Sequence, residues 1–210
     1  MNQIFDFFLD AYRQSPFYLI ILEAIAFVFG ILSVYFAKKA NILVYPTGII
    51  CTIITVYILN ISEYYGDMMM NIYYSIMSIY GWWNWARKKA NKPLVPISRT
   101  SGKEKLIGVL FFVSTMIITY LVYKAYGYDL KIPNYIDVVT SGIFFTAMWY
   151  MANKKLENWT LWILGDIITI PLYAYRGLGM LSLQYLIFTI LAIQGYIEWK
   201  KRLDSNLQPA

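Results

Sequence analysis

Seven apolar segments, each close to the length that crosses a lipid bilayer, follow one another along this chain. A spanning helix needs about 17–25 mostly apolar residues, because each residue adds about 1.5 Å to its length. The chain has 210 residues, of which 59% are hydrophobic and only 14% are charged. Soluble domains have about 25% charged residues, so the composition predicts one all-α polytopic membrane domain. The predicted spans cover residues 17–37, 42–59, 68–85, 106–123, 135–151, 159–175 and 182–199.

Lysine and arginine are divided unequally between the two sides that these spans create. Fourteen of the 18 basic residues fall on one side, and the other four are Arg13, Lys124, Lys131 and Arg176. Basic loops stay in the cytoplasm, so the N-terminus is expected outside and the C-terminus inside. The net charge of +6 therefore serves topology, with anionic lipid as a secondary partner and no role in binding nucleic acid.

Two of the spans end on the same short pattern. The third ends on GWWNW at 81–85, and the seventh ends on GYIEW at 195–199, 114 residues later. Each copy is followed by a basic run, and Trp85 and Trp199 are therefore expected to anchor the membrane interface. Glu23 and Asp137 match at the same offset, while NILVYPTG at 41–48 matches NWTLWILG at 158–165 at an offset of 117. The difference predicts three extra residues in the second connector.

These matches predict an internal duplication. A three-helix unit ends on the side opposite to its start, and the fourth span restores the direction for a second copy. The expected fold is two parallel three-helix repeats joined by a linker helix, which is a known transporter design with substrate bound near the midplane between the repeats. The predicted regions are an interfacial segment at 1–16, a repeat at 17–85, a basic loop with linker helix at 86–134, a repeat at 135–199 and a tail at 200–210.

The N-terminal segment has apolar residues at helical spacing, interrupted by acids and without a basic start. It is therefore expected to be a short helix on the membrane surface and not a cleavable signal peptide.

Four motifs together resemble the PnuC family of bacterial vitamin transporters. They are KKANILVYPTG at 38–48, YYGD at 64–67, SIYGWWNW at 78–85 and NWTLWILGD at 158–166. The resemblance extends from about residue 23 to 201. It implies a three-one-three helix arrangement related to SWEET proteins, in the bacterial inner membrane. It also implies uptake of nicotinamide riboside by facilitated diffusion, trapping by a cytoplasmic kinase, and a homo-oligomer, with a trimer as the candidate. Some relatives carry thiamine or other nucleoside-like vitamins.

The sixth span carries the most informative side chains. Trp159, Trp162, Asp166 and Thr169 are spaced i, i+3, i+7 and i+10, which places them on one helical face. Aromatic rings, an acid and a hydroxyl suit a cationic pyridinium ring with ribose hydroxyls. Trp159 and Trp162 also match the Trp-x-x-Trp motif that lines the substrate site in the resembled family. The alternatives are an interfacial anchor for each Trp and a structural hydrogen bond for Asp166. Pro171 is the candidate hinge of this helix.

Two further helices carry polar or aromatic stripes. The candidate substrate contacts on these helices are Asn71, Tyr74 and Ser78 in the third span, and Gln184 and Phe188 in the seventh. Tyr74 and Phe188 lie at equivalent positions of the two repeats and could clamp a flat ring. Interhelical hydrogen bonding is the alternative for the stripes. Gln194 is the candidate for an inner gate.

Other function classes find little support. The chain has no His and a single cysteine, Cys51, so neither a metal cluster nor an intramolecular disulfide is expected. No cofactor is predicted. An intramembrane enzyme would need a nucleophile with a base or paired acids at membrane depth, and a receptor would need larger loops. A vitamin transporter is the prediction, with nicotinamide riboside favoured over thiamine.

Overall fold

The secondary structure of the described residues is helical apart from one short hairpin. The computed structural model describes residues 16–61, 65–89, 92–93, 95–125, 130–175 and 179–207. Within these residues the helices are α1 Phe17–Lys38, α2 Val44–Ile61, α3 Tyr65–Ala86, α4 Gly102–Ala125, α5 Ile132–Ala152, α6 Glu157–Tyr175 and α7 Gly179–Leu207. Each corresponds to one predicted span, and α7 continues eight residues beyond its predicted end. The predicted surface helix at 1–16 lies outside the described residues apart from Pro16.

The length and composition of four helices are sufficient to cross a membrane. They are α1, α2, α4 and α7 up to Ser205. Helices α3, α5 and α6 fall outside this group. Asn158, Asp166 and Thr169 of α6 are polar and buried, so they are sheltered from lipid within the bundle.

Helix contacts divide the bundle into two groups. Helices α1, α2 and α3 pack consecutively, as do α5, α6 and α7, and we call these the first half and the second half. Contacts between the halves run from α1 to α7 and from α3 to α5. Helix α4 packs on α5, and the Tyr123 hydroxyl donates to Oδ2 of Asp137 at 3.0 Å across that contact.

One end of the bundle contains the short connectors after α1 and α5, the C-terminal part of α7, and the end of α3. We call it the basic end, because Lys38, Lys154, Lys155 and Arg202 meet there. The hydrophobic core continues into this end through buried Tyr45, Trp159 and Trp199, among others.

The predicted linker at 86–105 is more ordered than a simple loop. Lys88–Lys89 and Lys92–Pro93 form a two-residue antiparallel hairpin. Ser98 then pairs with the α5–α6 connector, because its amide donates to the Lys154 carbonyl at 3.1 Å and its carbonyl accepts from the Leu156 amide at 2.9 Å. Lys155 Nζ lies 2.8 Å from Glu104 Oε1, which fastens the start of α4 to the same connector.

The α1–α2 and α5–α6 connectors have the same backbone conformation. Ala40 has φ 52° and Lys154, 114 residues later, has φ 51°. Their amides donate to the carbonyls three residues earlier, on Ala37 at 2.9 Å and on Met151 at 3.0 Å. A left-handed residue is the usual way to end a helix and reverse the chain, and here neither position is Gly.

The prediction of three extra residues in the second connector is wrong. The amides of Tyr45 and Trp159 each donate to the carbonyl three residues earlier, at 3.2 Å in both cases. Tyr45 is therefore matched by Trp159, and one offset of 114 covers both connectors. The shared Asn-x-x-x-aromatic-x-x-Gly pattern at 41–48 and 158–165 is a coincidence of residue type, because helix starts favour Asn.

Candidate functional site

An aromatic cluster joins the two halves near the middle of the bundle. The Trp162 ring of α6 stacks on Phe144 of α5, with centroids 5.4 Å apart and planes at 29°. It also faces Tyr74 of α3, at 6.3 Å and 53°. Phe144 in turn stacks on Tyr185 of α7 at 6.1 Å. Trp162 and Tyr74, predicted separately as substrate contacts, therefore lie side by side.

Asp166 lies one helical turn beyond Trp162 and is only 2% exposed. Within the described part of the chain, no hydrogen bond or ion pair reaches its carboxylate. Thr169, also buried, donates to the Gly165 carbonyl of its own helix at 2.8 Å. A buried acid without a partner is costly in a membrane.

Trp159 lies apart from this cluster, at the basic end. It is 1% exposed and meets Trp199 edge to face, with centroids 5.5 Å apart and planes at 89°. Its indole Nε1–H is buried without a hydrogen-bond partner among the described residues. The face shared by Trp159 and Trp162 thus reaches from the basic end to the middle of the bundle.

Gln184 and Phe188 of α7 face α1. A β-carbon placed on Gly30 would lie 3.4 Å from Gln184 Nε2, 3.4 Å from Phe188 Cζ and 3.3 Å from Cys51 Sγ. Gly30 therefore permits the close approach of α7 to α1. The ring neighbour of Phe188 is Tyr185, at 6.0 Å.

Two serines of α3, Ser75 and Ser78, lie against α2. Ser78 is buried, and its Oγ would be 3.7 Å from a β-carbon placed on Gly48. The Ser75 hydroxyl shares a 2.7 Å hydrogen bond with Thr52 and is 3.0 Å from the Asn71 carbonyl. These small hydroxyl side chains form a polar wall in the first half.

The offset of 114 identifies two residues that the sequence reasoning missed, Gly30 and Phe144. It pairs Gly30 with Phe144 and Gly48 with Trp162, so glycines in the first half correspond to stacked rings in the second. The site is thus asymmetric, with small polar residues on one side and aromatic residues on the other. The signal was present in the sequence, but the offset of 117 paired Gly48 with Gly165 and concealed it.

The pattern predicted that the two Trp residues of the repeated motif are interfacial anchors. The structure instead buries both of them. Trp85 is 6% exposed and Trp199 is 0% exposed. Trp199 Nε1 donates to the carbonyls of Ala37 at 3.0 Å and Lys38 at 3.2 Å. Trp85 Nε1 donates to the Ala152 carbonyl at 3.2 Å. Each indole therefore caps the first helix of the opposite half, and such carbonyls lack partners within their own helix.

Comparison with known proteins identifies the family. A profile of the family described as nicotinamide mononucleotide transporter matches residues 20–201. The chain belongs to this family. It is 22% identical to the nicotinamide riboside transporter PnuC of Escherichia coli, over 85% of this chain and 84% of that protein. It is 28% identical to PnuC of Neisseria mucosa, over 86% and 72% respectively.

A solved structure supports the same assignment. A crystal structure of the vitamin B3 transporter PnuC superposes with a TM-score of 0.70 at 27% identity, covering 88% of this chain and 82% of that one. The chain is thus a helical membrane transporter of the nicotinamide mononucleotide transporter family. The matched region includes the aromatic cluster, Asp166 and both capping Trp residues.

In this family member, the two predicted gate or hinge residues lie at opposite parts of the site. Gln194 Oε1 accepts from Lys38 Nζ at 2.7 Å at the exposed rim of the basic end. Pro171 lies inside α6 with an exposed side chain. The Ser182 hydroxyl donates to the adjacent Ile170 carbonyl at 3.0 Å, which ties this part of α6 to α7.

The described residues contain no group of three or more His, Cys, Asp or Glu that could hold a metal ion. The side chains described at the site offer aromatic rings, hydrogen-bonding groups and the carboxyl of Asp166.

Proposed function

We propose that this chain takes up nicotinamide riboside across the bacterial inner membrane. The observation that carries the proposal is the Trp162–Phe144 stack next to the buried carboxyl of Asp166, which has no hydrogen-bond partner among the residues that the structure describes. The pyridinium ring of nicotinamide riboside is flat and positively charged, so it fits both an aromatic face and an adjacent acid. Two relatives named as nicotinamide riboside transporters support this choice.

The proposed architecture is two parallel three-helix repeats joined by α4, with the N-terminus outside and the basic end in the cytoplasm. The pattern of contacts supports the repeats, because exchanging the halves converts the α1–α7 contact into the α5–α3 contact. The matched connectors with their left-handed Ala40 and Lys154 support the same arrangement. The excess of Lys and Arg at the basic end supports the orientation.

In the proposed mechanism the substrate binds between the halves, which rock to open each side in turn. Asp166 neutralises the pyridinium charge, and polar groups from Asn71, Ser78 and Gln184 bind the sugar hydroxyls and the carboxamide. Transport is by facilitated diffusion, and phosphorylation in the cytoplasm prevents return. The assembly is a homo-oligomer, with a trimer as the candidate.

The substrate assignment is tested by isothermal titration calorimetry of the purified protein. Nicotinamide riboside should bind more tightly than thiamine, because thiamine shares the cationic ring but lacks the ribose. Trp162→Ala should weaken nicotinamide riboside binding at least about tenfold, in keeping with the roughly 1–3 kcal/mol that aromatic stacking contributes per base. Trp83→Ala removes an exposed Trp and is the matched control. Preference for thiamine, or unchanged affinity of Trp162→Ala, would refute the assignment.

The uniport prediction is tested in liposomes that contain the purified protein and a nicotinamide riboside kinase with ATP. Uptake should proceed without an imposed proton or sodium gradient and should equilibrate when the kinase is omitted. Accumulation above the external concentration without the kinase, driven by either gradient, would contradict facilitated diffusion.

A further inference from the structure

The capping bonds of Trp85 and Trp199 connect the halves in a reciprocal way. Trp85 belongs to the first half and bonds to Ala152 of the second, while Trp199 belongs to the second half and bonds to Ala37 and Lys38 of the first. The two rings also meet each other, with centroids 6.0 Å apart. A separation of the halves at this end therefore breaks both caps and the ring contact together.

Each capping Trp is supported by an aromatic ring from its own half. Trp85 meets Tyr45 edge to face at 5.0 Å and 82°, and Trp199 meets Trp159 in the same way at 5.5 Å and 89°. The supporting pairs are related by the offset of 114. The closed arrangement is thus built twice from matched parts and is centred on the Trp85–Trp199 contact.

Further contacts between the halves surround this centre. The Lys154 ammonium lies 4.4 Å from the Trp85 ring centroid. Asn84 Nδ2 donates to the Ala152 carbonyl at 2.9 Å, and an Arg202 guanidinium N–H donates to the Lys39 carbonyl at 3.0 Å. With Trp85 and Trp199 buried beneath them, these contacts close the basic end.

Two of the buried polar atoms that lack partners among the described residues of this region belong to the supporting rings. The Tyr45 hydroxyl and the Trp159 Nε1–H are buried and form no hydrogen bond with any described residue. They lie at equivalent positions of the halves. A buried polar group without a partner destabilises the state that buries it, and water entering an opened basic end would satisfy both.

We propose that Trp85 and Trp199 form the cytoplasmic gate of this transporter, closed in this structure by their reciprocal caps, and that hydration of Tyr45 and Trp159 favours its opening. The gate is a balance, since the caps favour the closed state and the two unpartnered groups favour the open one. The proposal rests on the proposed transport function and orientation.

The test uses Cys51, which is the only cysteine of the chain. It is half-buried on α2, where its Sγ faces Gly30 of α1. Its labelling rate by a membrane-impermeant methanethiosulfonate reagent is measured in inverted and in right-side-out membrane vesicles. Trp85→Phe combined with Trp199→Phe keeps the rings but removes both donors, and labelling in inverted vesicles should rise at least threefold. Tyr45→Phe removes one unpartnered hydroxyl and should slow it below the parent rate.

The controls distinguish failure of the gate proposal from failure of the proposed orientation or substrate. Trp83 is exposed and lies two residues from Trp85. Trp83→Phe should therefore leave the labelling rate of Cys51 unchanged. Gln194→Ala removes only the hydrogen bond to Lys38 at the rim and should give a smaller rise in the labelling rate. This variant keeps the proposal testable if the double Trp variant fails to fold. Unchanged rates in the Trp and Gln194 variants, or faster labelling of Tyr45→Phe, would overturn the proposal. A rise confined to right-side-out vesicles would refute the orientation and the cytoplasmic location of the gate. If the labelling rates change as expected but the parent protein does not bind nicotinamide riboside, only the substrate assignment is refuted.

Discussion

Thr52 of α2 and Asp166 of α6 are 114 residues apart, which makes them counterparts in the proposed repeat, yet their surroundings differ. The Thr52 hydroxyl shares a 2.7 Å hydrogen bond with Ser75. The residue equivalent to Ser75 is Thr189, and its hydroxyl donates to the Tyr185 carbonyl of its own helix at 2.9 Å. Asp166 is therefore left without the partner that its counterpart has. A substrate cation is the partner that the proposed function supplies.

Asp166→Asn should stabilise the empty protein and impair binding. The substitution removes a buried acid that has no partner among the described residues, and an acid costs at least about 2.5–3.5 kcal/mol in a membrane-spanning helix, so the melting temperature in detergent should rise by several degrees. Nicotinamide riboside affinity should fall at least tenfold. Asp137→Asn is the matched control, because Asp137 accepts a hydrogen bond from Tyr123. It should bring no gain in stability and no loss of affinity. A destabilised Asp166→Asn would mean that the carboxylate has a structural role.

Gly81 and Gly195 should not tolerate a side chain. A β-carbon placed on Gly195 would lie 2.7 Å from the Trp159 ring, and one placed on Gly81 would be closer still to the Tyr45 ring. Gly195→Ala should therefore cost about 1–3 kcal/mol through overpacking, measured by thermal unfolding. Gly102→Ala is the control, because a β-carbon there would meet nothing within 4 Å. Equal stability of the two variants would contradict the described packing.

Ala40→Gly should stabilise the protein. Ala40 has φ 52°, a conformation that costs a residue with a β-carbon roughly 1–2 kcal/mol but costs Gly nothing. Part of the gain is lost, because Gly raises the entropy of the unfolded chain by about 0.4–1 kcal/mol. Ala24→Gly, at an exposed position inside α1, should instead lower the melting temperature. If both variants lost the same stability, the left-handed turn would be absent.

Lys154 should make stability depend on pH in the alkaline range. Burial, and then the positive charge of Arg202, lower the pKa of Lys154 below its ordinary value of 10.5. The unfolded chain binds more protons than the folded one between the lowered pKa and 10.5, so the contribution of Lys154 to stability increases as the pH rises through that range. Any advantage of Lys154→Met over the parent should therefore shrink between pH 7 and about pH 10. Lys103→Met, at an exposed position, controls for the loss of one charge. An advantage that grows with pH would contradict this.

The sequence was sufficient to predict the helices but not all of their relations. Apolar length located every described helix because lipid imposes that length directly. Asn158 resembles Asn41, and this led to an alignment of α6 with α2 that is three residues out of register. Two helices can both begin near an Asn without having connectors of different length. The positive φ values of Ala40 and Lys154 decide the offset, and neither residue is the Gly that would have signalled them.

The site was predictable in part for the same reason. Trp162 and Asp166 were recognisable because an aromatic stripe and an acid are unusual in a membrane helix. Gly30 and Phe144 were missed because each looks ordinary alone, and only their pairing across the halves gives them meaning. Trp85 and Trp199 were assigned to the membrane surface because Trp is common there. The carbonyls that they cap belong to the opposite half and leave no local pattern.

The reciprocal caps also set an order of assembly during synthesis. Trp85 emerges from the ribosome well before Ala152, so the first half is complete in sequence while its indole donor still lacks an acceptor. The carbonyls of Ala37 and Lys38 accept their indole hydrogen bonds later still, when Trp199 has been made. The nascent first half therefore lacks the indole contacts that close its basic end in the complete protein. It remains an unfinished surface on which the last helix of the chain docks.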